Sequence, residues 1–522
     1  MTLLKRNLHV NCPERVGEVQ LALEEDYNLP ETKPDVSTIC FEKGEVVIEE
    51  VRPVNDAVAV KGRLAFSVLY HTQENGGKLE RTEGKIPFDE KIRMEGLGAT
   101  DAVSVTGAVE DLTVTMINSR KLSVRSVLCL KACSDEMRDE EIPVGIAEED
   151  ERLAGAQIQK DSMEFTQLCA CKKDLLRVKE ELILPSGYPN IGRILWKNVS
   201  LGEMNFRLGE EKLYVQGEAK VFVLYEGESG EETPQVYETV TQISSEMACS
   251  GCHEGMAVDV RYGIAQWELT PGPDLDGEQR DLSLELTIDL KVCVYSEERL
   301  EVMKDAYGVA RELKAEKRTA NLRELVRSVT GKTKVADHVK LEGEEKALQL
   351  VHGDAILGVG DIQARDGGIT LRGSLGVKIL YVTGDDEKPY GCLNIAIPFE
   401  YSMEIPGMRK EDGFEPIQMN VEQLSLTMLD GEEVDVKAIL CFSVSVFRDS
   451  AVQVMEALNE EPLDREKMAS LPGMVAYVVK DGEDLWSIGK RYYVPVQSLM
   501  EYNDLTSEAV TPGQKLLIVK ES

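Results

Sequence analysis

Val60–Tyr70 reads VKGRLAFSVLY, and the chain writes this stretch twice more. It returns as Val215–Tyr225, VQGEAKVFVLY, and as Leu371–Tyr381, LRGSLGVKILY. Each copy carries Gly at its third position and closes on Leu-Tyr. The glycines, Gly62, Gly217 and Gly373, are 155 and 156 residues apart. A period of that length fits whole domains in tandem rather than solenoid units of ~20–50 residues. Apolar side chains fall on alternate positions, as at Val60, Leu64, Phe66, Val68 and Tyr70. That period of two predicts a strand with one buried face, so the repeated stretch reads as core and not as a binding edge. A glycine in mid-strand predicts a bulge or a close backbone approach.

Other markers recur around each copy. Leu29-Pro30 and Pro34 return as Leu184-Pro185 and Pro189, and Gly96 returns as Gly251 and Gly407. Ile86-Pro87-Phe88 matches Ile397-Pro398-Phe399. A strand pair closes each unit: 112–117 with 122–132, 264–269 with 282–295, and 424–429 with 434–446. Asp430-Gly431 is a hairpin signal in the third pair, while 270–281 reads as a long loop in the second. The fold expected is mainly β: three tandem β-sandwich or barrel-like domains over 1–150, 151–305 and 306–455. Tyr307–Val329 fits either a helix or a strand. Residues 456–473, charged and interrupted by Pro and Gly, read as a linker.

Composition narrows the function. The 522 residues allow three or four domains of ~150 each. The formal net charge is −35, from 59 basic and 94 acidic residues. Such a balance excludes a nucleic-acid backbone and simple docking to anionic lipid as partners. Met1–Asn11 has no apolar secretory core and no apolar run is long enough for a membrane span, so the protein is expected to stay in the cytoplasm. Eleven scattered cysteines fit reduced thiols there.

The stretch 474–520 is a different object. Tyr477-Val478-Val479 reads as a strand and Asp484 as the cap of a helix starting at Leu485. Leu485, Ile488, Gly489 and Tyr492 share one helical face. Pro495 opens a second helix, Asn503 ends it, and Lys515–Val519 closes the unit as a strand. This βααβ stretch resembles a LysM domain, in its Gly-Glu-Asp-Leu-Trp turn at 482–486, its Asn-Asp-Leu at 503–505 and its Pro-Gly-Gln-Lys-Leu at 512–516. Glu483-Asp484 stands where the family often has Asp-Thr, and Ile518-Val519 replaces a common Ile-Pro. The resemblance implies a groove for N-acetylglucosamine chains of peptidoglycan or chitin. By position it would use Gly482, Glu483, Asp484, Leu485, Asn503, Asp504, Leu505, Pro512 and Gly513. Trp486 would be a stacking platform or, inside a helix, a core staple.

Three β repeats followed by one LysM resemble the SipL-type spore coat morphogenetic proteins, whose repeat is called the SPOCS domain. The resemblance implies a non-enzymatic scaffold in the mother-cell cytoplasm, at the forespore surface. Its LysM would bind stage IV sporulation protein A, the ATPase of the coat basement layer. The alternative it leaves open is a protein that binds peptidoglycan or chitin oligomers at the wall or cortex.

No catalytic constellation competes with this reading. Cys249-Ser250-Gly251-Cys252-His253 spells a haem-attachment pattern, but no second pair completes a zinc site and Gly251 is already a repeat marker. Gly331-Lys332-Thr333 lacks the earlier glycine of a phosphate loop. The five histidines are scattered. No cofactor or metal is expected.

Overall fold

The computed structural model describes residues 2–11, 15–73, 78–135, 137–146, 156–228, 233–309, 311–341, 346–385, 388–462 and 472–520. Each repeated stretch is the middle strand of an antiparallel three-stranded meander. In the first repeat the meander is Val36–Val54, Ala57–Thr72 and Leu79–Arg93. In the second it is Ile191–Gly209, Lys212–Gly227 and Gln235–Ala248. In the third it is Ala347–Arg365, Gly368–Thr383 and Tyr390–Glu404. A second sheet faces each meander. In the first repeat Lys121–Asp135 lies between Val16–Asn28 and Ala102–Asn118. Gln279–Gly308 and Glu433–Glu461 take the same central place in the other repeats.

The alternation explains the packing. Val60, Leu64, Phe66, Val68 and Tyr70 are all buried, and they meet Leu122, Val124, Leu128 and Leu130 of the facing sheet. Val215 to Tyr225 and Leu371 to Ile379 do the same in their repeats. Each repeat is therefore a β-sandwich. Full burial of one such side chain stabilises by about 1.5–3 kcal/mol. The mid-strand glycines face bulges in the preceding strand, where the register slips beside Ile48, Leu201 and Val359. A Cβ at Gly62 would stand 2.5 Å from the Val47 carbonyl oxygen, and one at Gly373 would stand 2.1 Å from that of Gly358.

Several sequence expectations shift. Most of the stretch read as a loop at 270–281 is strand: Ala257–Pro273 pairs with Gln279–Gly308 as far as Pro273. Its prolines are tolerated because this strand lies on a sheet edge. Within 307–329, Tyr307 and Gly308 end the strand Gln279–Gly308, and Glu312 to Val329 belong to the strand Glu312–Lys340, so the stretch carries no helix among its described residues. The strand Glu433–Glu461 runs six residues into the stretch read as linker, because it pairs with Glu312–Lys340 and buries Leu458. Much of the rest of that linker, 463–471, lies outside the described residues. Four cysteines stand in two close pairs: Cys171 lies directly across the strands from Cys293, and Cys249 faces Cys252 around the Gly251 turn.

The three sandwiches touch in a ring. Equivalent residues of all three meet in one central cluster: Cys40, Phe41 and Leu69; Leu195, Trp196 and Leu224; Val351 and Leu380. These positions follow the same steps of 155 and 156 residues as the glycines. A two-stranded ribbon accompanies each second sheet. In the first repeat the ribbon is Leu3–Asn11 with Met137–Ile146. In the others the long strands supply it, pairing Ala156 with Gly308 and Glu312 with Glu461 at the tips. The ribbons pack through Leu8 and Ile142, Phe165 and Leu300, and Leu322 and Val454.

Candidate LysM site and its seat on the β body

The tail has its own small core, built from Val479, Leu485, Ile488, Val496, Leu499, Leu516 and Ile518. Met474–Val478 pairs with Lys515–Val519, and between them lie helices α1 (Leu485–Tyr492) and α2 (Val496–Tyr502). Asp484 caps α1 as the sequence requires. Its carboxylate accepts from Ser487 N at 2.8 Å, while the Asp484 N–H reaches Ser487 Oγ at 3.1 Å. This reciprocal pair satisfies two donors that the helix end leaves open.

The residues expected to line a groove separate into three groups. Leu485 is buried in the core and offers nothing to a ligand. Glu483 turns inward. Its two carboxylate oxygens share the single Tyr477 hydroxyl donor, at 2.7 and 2.9 Å, it accepts from Lys480 N, and it pairs with Arg491 at 2.8 Å. The Tyr477 hydroxyl bond, with the Lys480 amide and Arg491, holds its carboxyl down to about 2. Asn503 is also committed. Its amide donates to the Leu499 and Leu517 carbonyls and accepts from Leu517 N, stapling α2 to the closing strand.

Exposed at the expected groove are Gly482, Asp484, Asp504, Pro512 and Gly513, with Leu505 half-buried. Three of them hold left-handed backbone: Gly482 at φ 79°, Asp504 at 50° and Gly513 at 87°. The first and last turns are tied together, because Gly513 N donates to the Val479 carbonyl at 2.8 Å. What remains for a ligand is a rim of turn backbone with two carboxylates.

Trp486 belongs to a different contact, which the sequence did not foretell. Its indole N–H donates to Asp305 at 3.0 Å and its ring stands edge-on to Tyr307, 4.8 Å between centroids. Asp305 also binds Lys490 at 2.7 Å. Burial raises the Asp305 carboxyl, but Lys490 and Trp486 outweigh it, and the net effect is a lowering. The Tyr307 hydroxyl donates to the Val494 carbonyl at 2.7 Å, buried. Gly489 makes room, since a Cβ there would stand 2.5 Å from that hydroxyl. Asp305 and Tyr307 sit at the ribbon tip of the second repeat, so α1 is seated on the β body. The only sequence signal was a glycine on the buried face of α1.

Known proteins divide the chain in the same way. Residues 35–117, 190–271 and 346–429 match the SipL, SPOCS domain family, and residues 477–519 match the LysM domain. Each SPOCS match covers the meander and the first strand of the closing pair. A stretch of 42 residues is 45% identical to the uncharacterized protein YkzQ of Bacillus subtilis (strain 168). It spans 8% of this chain and 56% of that protein. No solved structure matches the chain.

Proposed function

We propose a function from one premise: the chain belongs to the SipL-type family, with three SPOCS domains and a C-terminal LysM domain. It is a non-enzymatic scaffold of spore coat assembly that works in the mother-cell cytoplasm at the forespore surface. Its LysM domain binds a protein of the coat basement layer, and stage IV sporulation protein A is the partner the family resemblance points to.

The observation that carries the protein-binding reading is the state of the groove. Glu483 and Asn503 are spent on internal bonds, Leu485 is core, and Trp486 is turned to the β body. A sugar chain needs stacking faces and free polar side chains. Of the expected set, the exposed rim offers Asp484, Asp504 and Pro512 as side chains. The second reading, binding of peptidoglycan or chitin oligomers, rests on the LysM match itself.

Parallel calorimetric titrations of the full chain separate the two. Saturable heat with stage IV sporulation protein A and none with chitin oligomers at about millimolar ligand supports the scaffold. Saturable heat with the oligomers and none with the protein reverses the assignment.

A further inference from the structure

One position of the repeat holds a different polar residue in each copy, and the three meet. Lys43, Asn198 and Asp354 are related by the same 155- and 156-residue steps as the glycines. Lys43 Nζ donates to Asn198 Oδ1 at 2.7 Å and pairs with Asp354 Oδ2 at 3.0 Å. Asn198 Nδ2 reaches Asp354 Oδ1 at 3.5 Å. The set sits beside the central apolar cluster, with Asn198 only 5% exposed. The seams around it also differ. Arg193 pairs with Glu80 between the first and second repeats. Phe222 stacks on His352 at 3.9 Å between the second and third. Lys378 pairs with Glu42 at 2.9 Å between the third and first.

We propose that Lys43, Asn198 and Asp354 form a recognition key that decides which repeat stands beside which. The seam surface of each repeat then fits one partner only, a neighbouring repeat of the right kind. Three copies of the first repeat would bring three ammonium groups together. Three copies of the third would bring three carboxylates together. Like charges held this close, partly out of water, repel one another strongly. The cation, the anion and the amide satisfy one another, so the mixed set is favoured, while a uniform lysine or uniform aspartate set is penalised. One apolar position beside the key, Leu69, Leu224 and Leu380, is leucine in all three copies and carries no such discrimination, whereas Cys40, Leu195 and Val351 differ in size only. The key concerns the ring alone and stands whichever ligand the LysM takes.

Cys40 provides the readout in the full chain, because it is 2% exposed within the central cluster. Its labelling by a thiol reagent, followed by mass spectrometry, reports opening of the ring. Cys129 and Cys133, each within the first repeat, serve as internal controls. Lys43→Asp and Asp354→Lys are each expected to speed Cys40 labelling about tenfold or more. The reversed pair, Lys43→Asp with Asp354→Lys, is expected to return it to within about twofold of the parent, since the Asn198 amide can serve either arrangement. If either single variant fails to fold, recovery of a protected Cys40 in the reversed pair still supports the key. Labelling in the reversed pair as fast as in the singles, or singles as slow as the parent, would overturn it.

Discussion

Tyr307, Gly489 and Gly373 show how single positions carry the architecture. Tyr307→Phe removes one buried hydrogen bond and leaves the Val494 carbonyl without that donor. The expected cost to seating of the tail is about 1–3 kcal/mol, read as faster hydrogen exchange in α1 with the exchange of the three sandwiches unchanged. Equal exchange in α1 would show that the seat does not depend on this bond. Gly489→Ala should raise helix propensity by about 1 kcal/mol in isolation. Here a Cβ would also stand 2.7 Å from the Val494 carbonyl oxygen, which is backbone and cannot move freely. The net result expected is destabilisation of the tail by about 1–3 kcal/mol in thermal unfolding. At Gly373 the obstacle is again backbone, 2.1 Å away. Gly373→Ala should cost at least as much, and a neutral result would mean that the bulge yields.

Among the elements, the strand carrying His352 makes the ring sensitive to acid. The imidazole is buried against Phe222 and Phe41, with Asn198 at 3.4 Å and the charges of Asp354 and Lys43 beside it. Burial pushes its pKa down to about 4, from 6.5. Between those values the unfolded chain takes up a proton that the folded chain refuses. The contribution is therefore complete above about pH 6.5 and is lost as pH falls, by about 3 kcal/mol near pH 4. Asp354 acts in the same direction at lower pH. Burial raises its carboxyl, but Lys43 and His352 together outweigh that, so it lies below its usual value and its contribution fades as pH falls through it. His352→Phe should flatten the decline of the urea midpoint between pH 7 and 4.5, and an unchanged slope would place the acid sensitivity elsewhere. At α1 the cap is the matching test. Asp484→Ala should cost the tail about 1 kcal/mol, measured by its thermal midpoint.

At the scale of the whole molecule, what the sequence made legible was whatever repeats or has a period. Strand alternation at Val60–Tyr70 located the core, and the marker glycines located the turns, with Gly96, Gly251 and Gly407 all at positive φ. The recurrent Leu-Pro marks were visible without their reason. Their carbonyls are held by a guanidinium, Arg120 on Pro30 at 2.9 Å and Arg280 on Pro185 at 2.7 Å. The arginines escaped notice because the second repeat carries extra residues before its arginine, which breaks the step. The ring escaped for the opposite reason. Its key position holds Lys, Asn and Asp, so no similarity marks it, and it emerges only when unlike residues are compared at a constant step. The groove was legible as a motif. Its occupancy was not, because the bonds of Glu483 and Asn503 and the turn of Trp486 toward Asp305 depend on tertiary neighbours.

The proposed scaffold function stands or falls with the proposal that the tail is the part that finds the forespore. The direct measurement is the position of a fluorescent fusion in sporulating cells, comparing the full chain with one lacking 474–520, with immunoblots confirming equal amounts. The full chain should encircle the forespore and the shortened chain should spread through the mother cell. A shortened chain that still encircles the forespore would contradict the assignment and move the binding surface to the three β repeats.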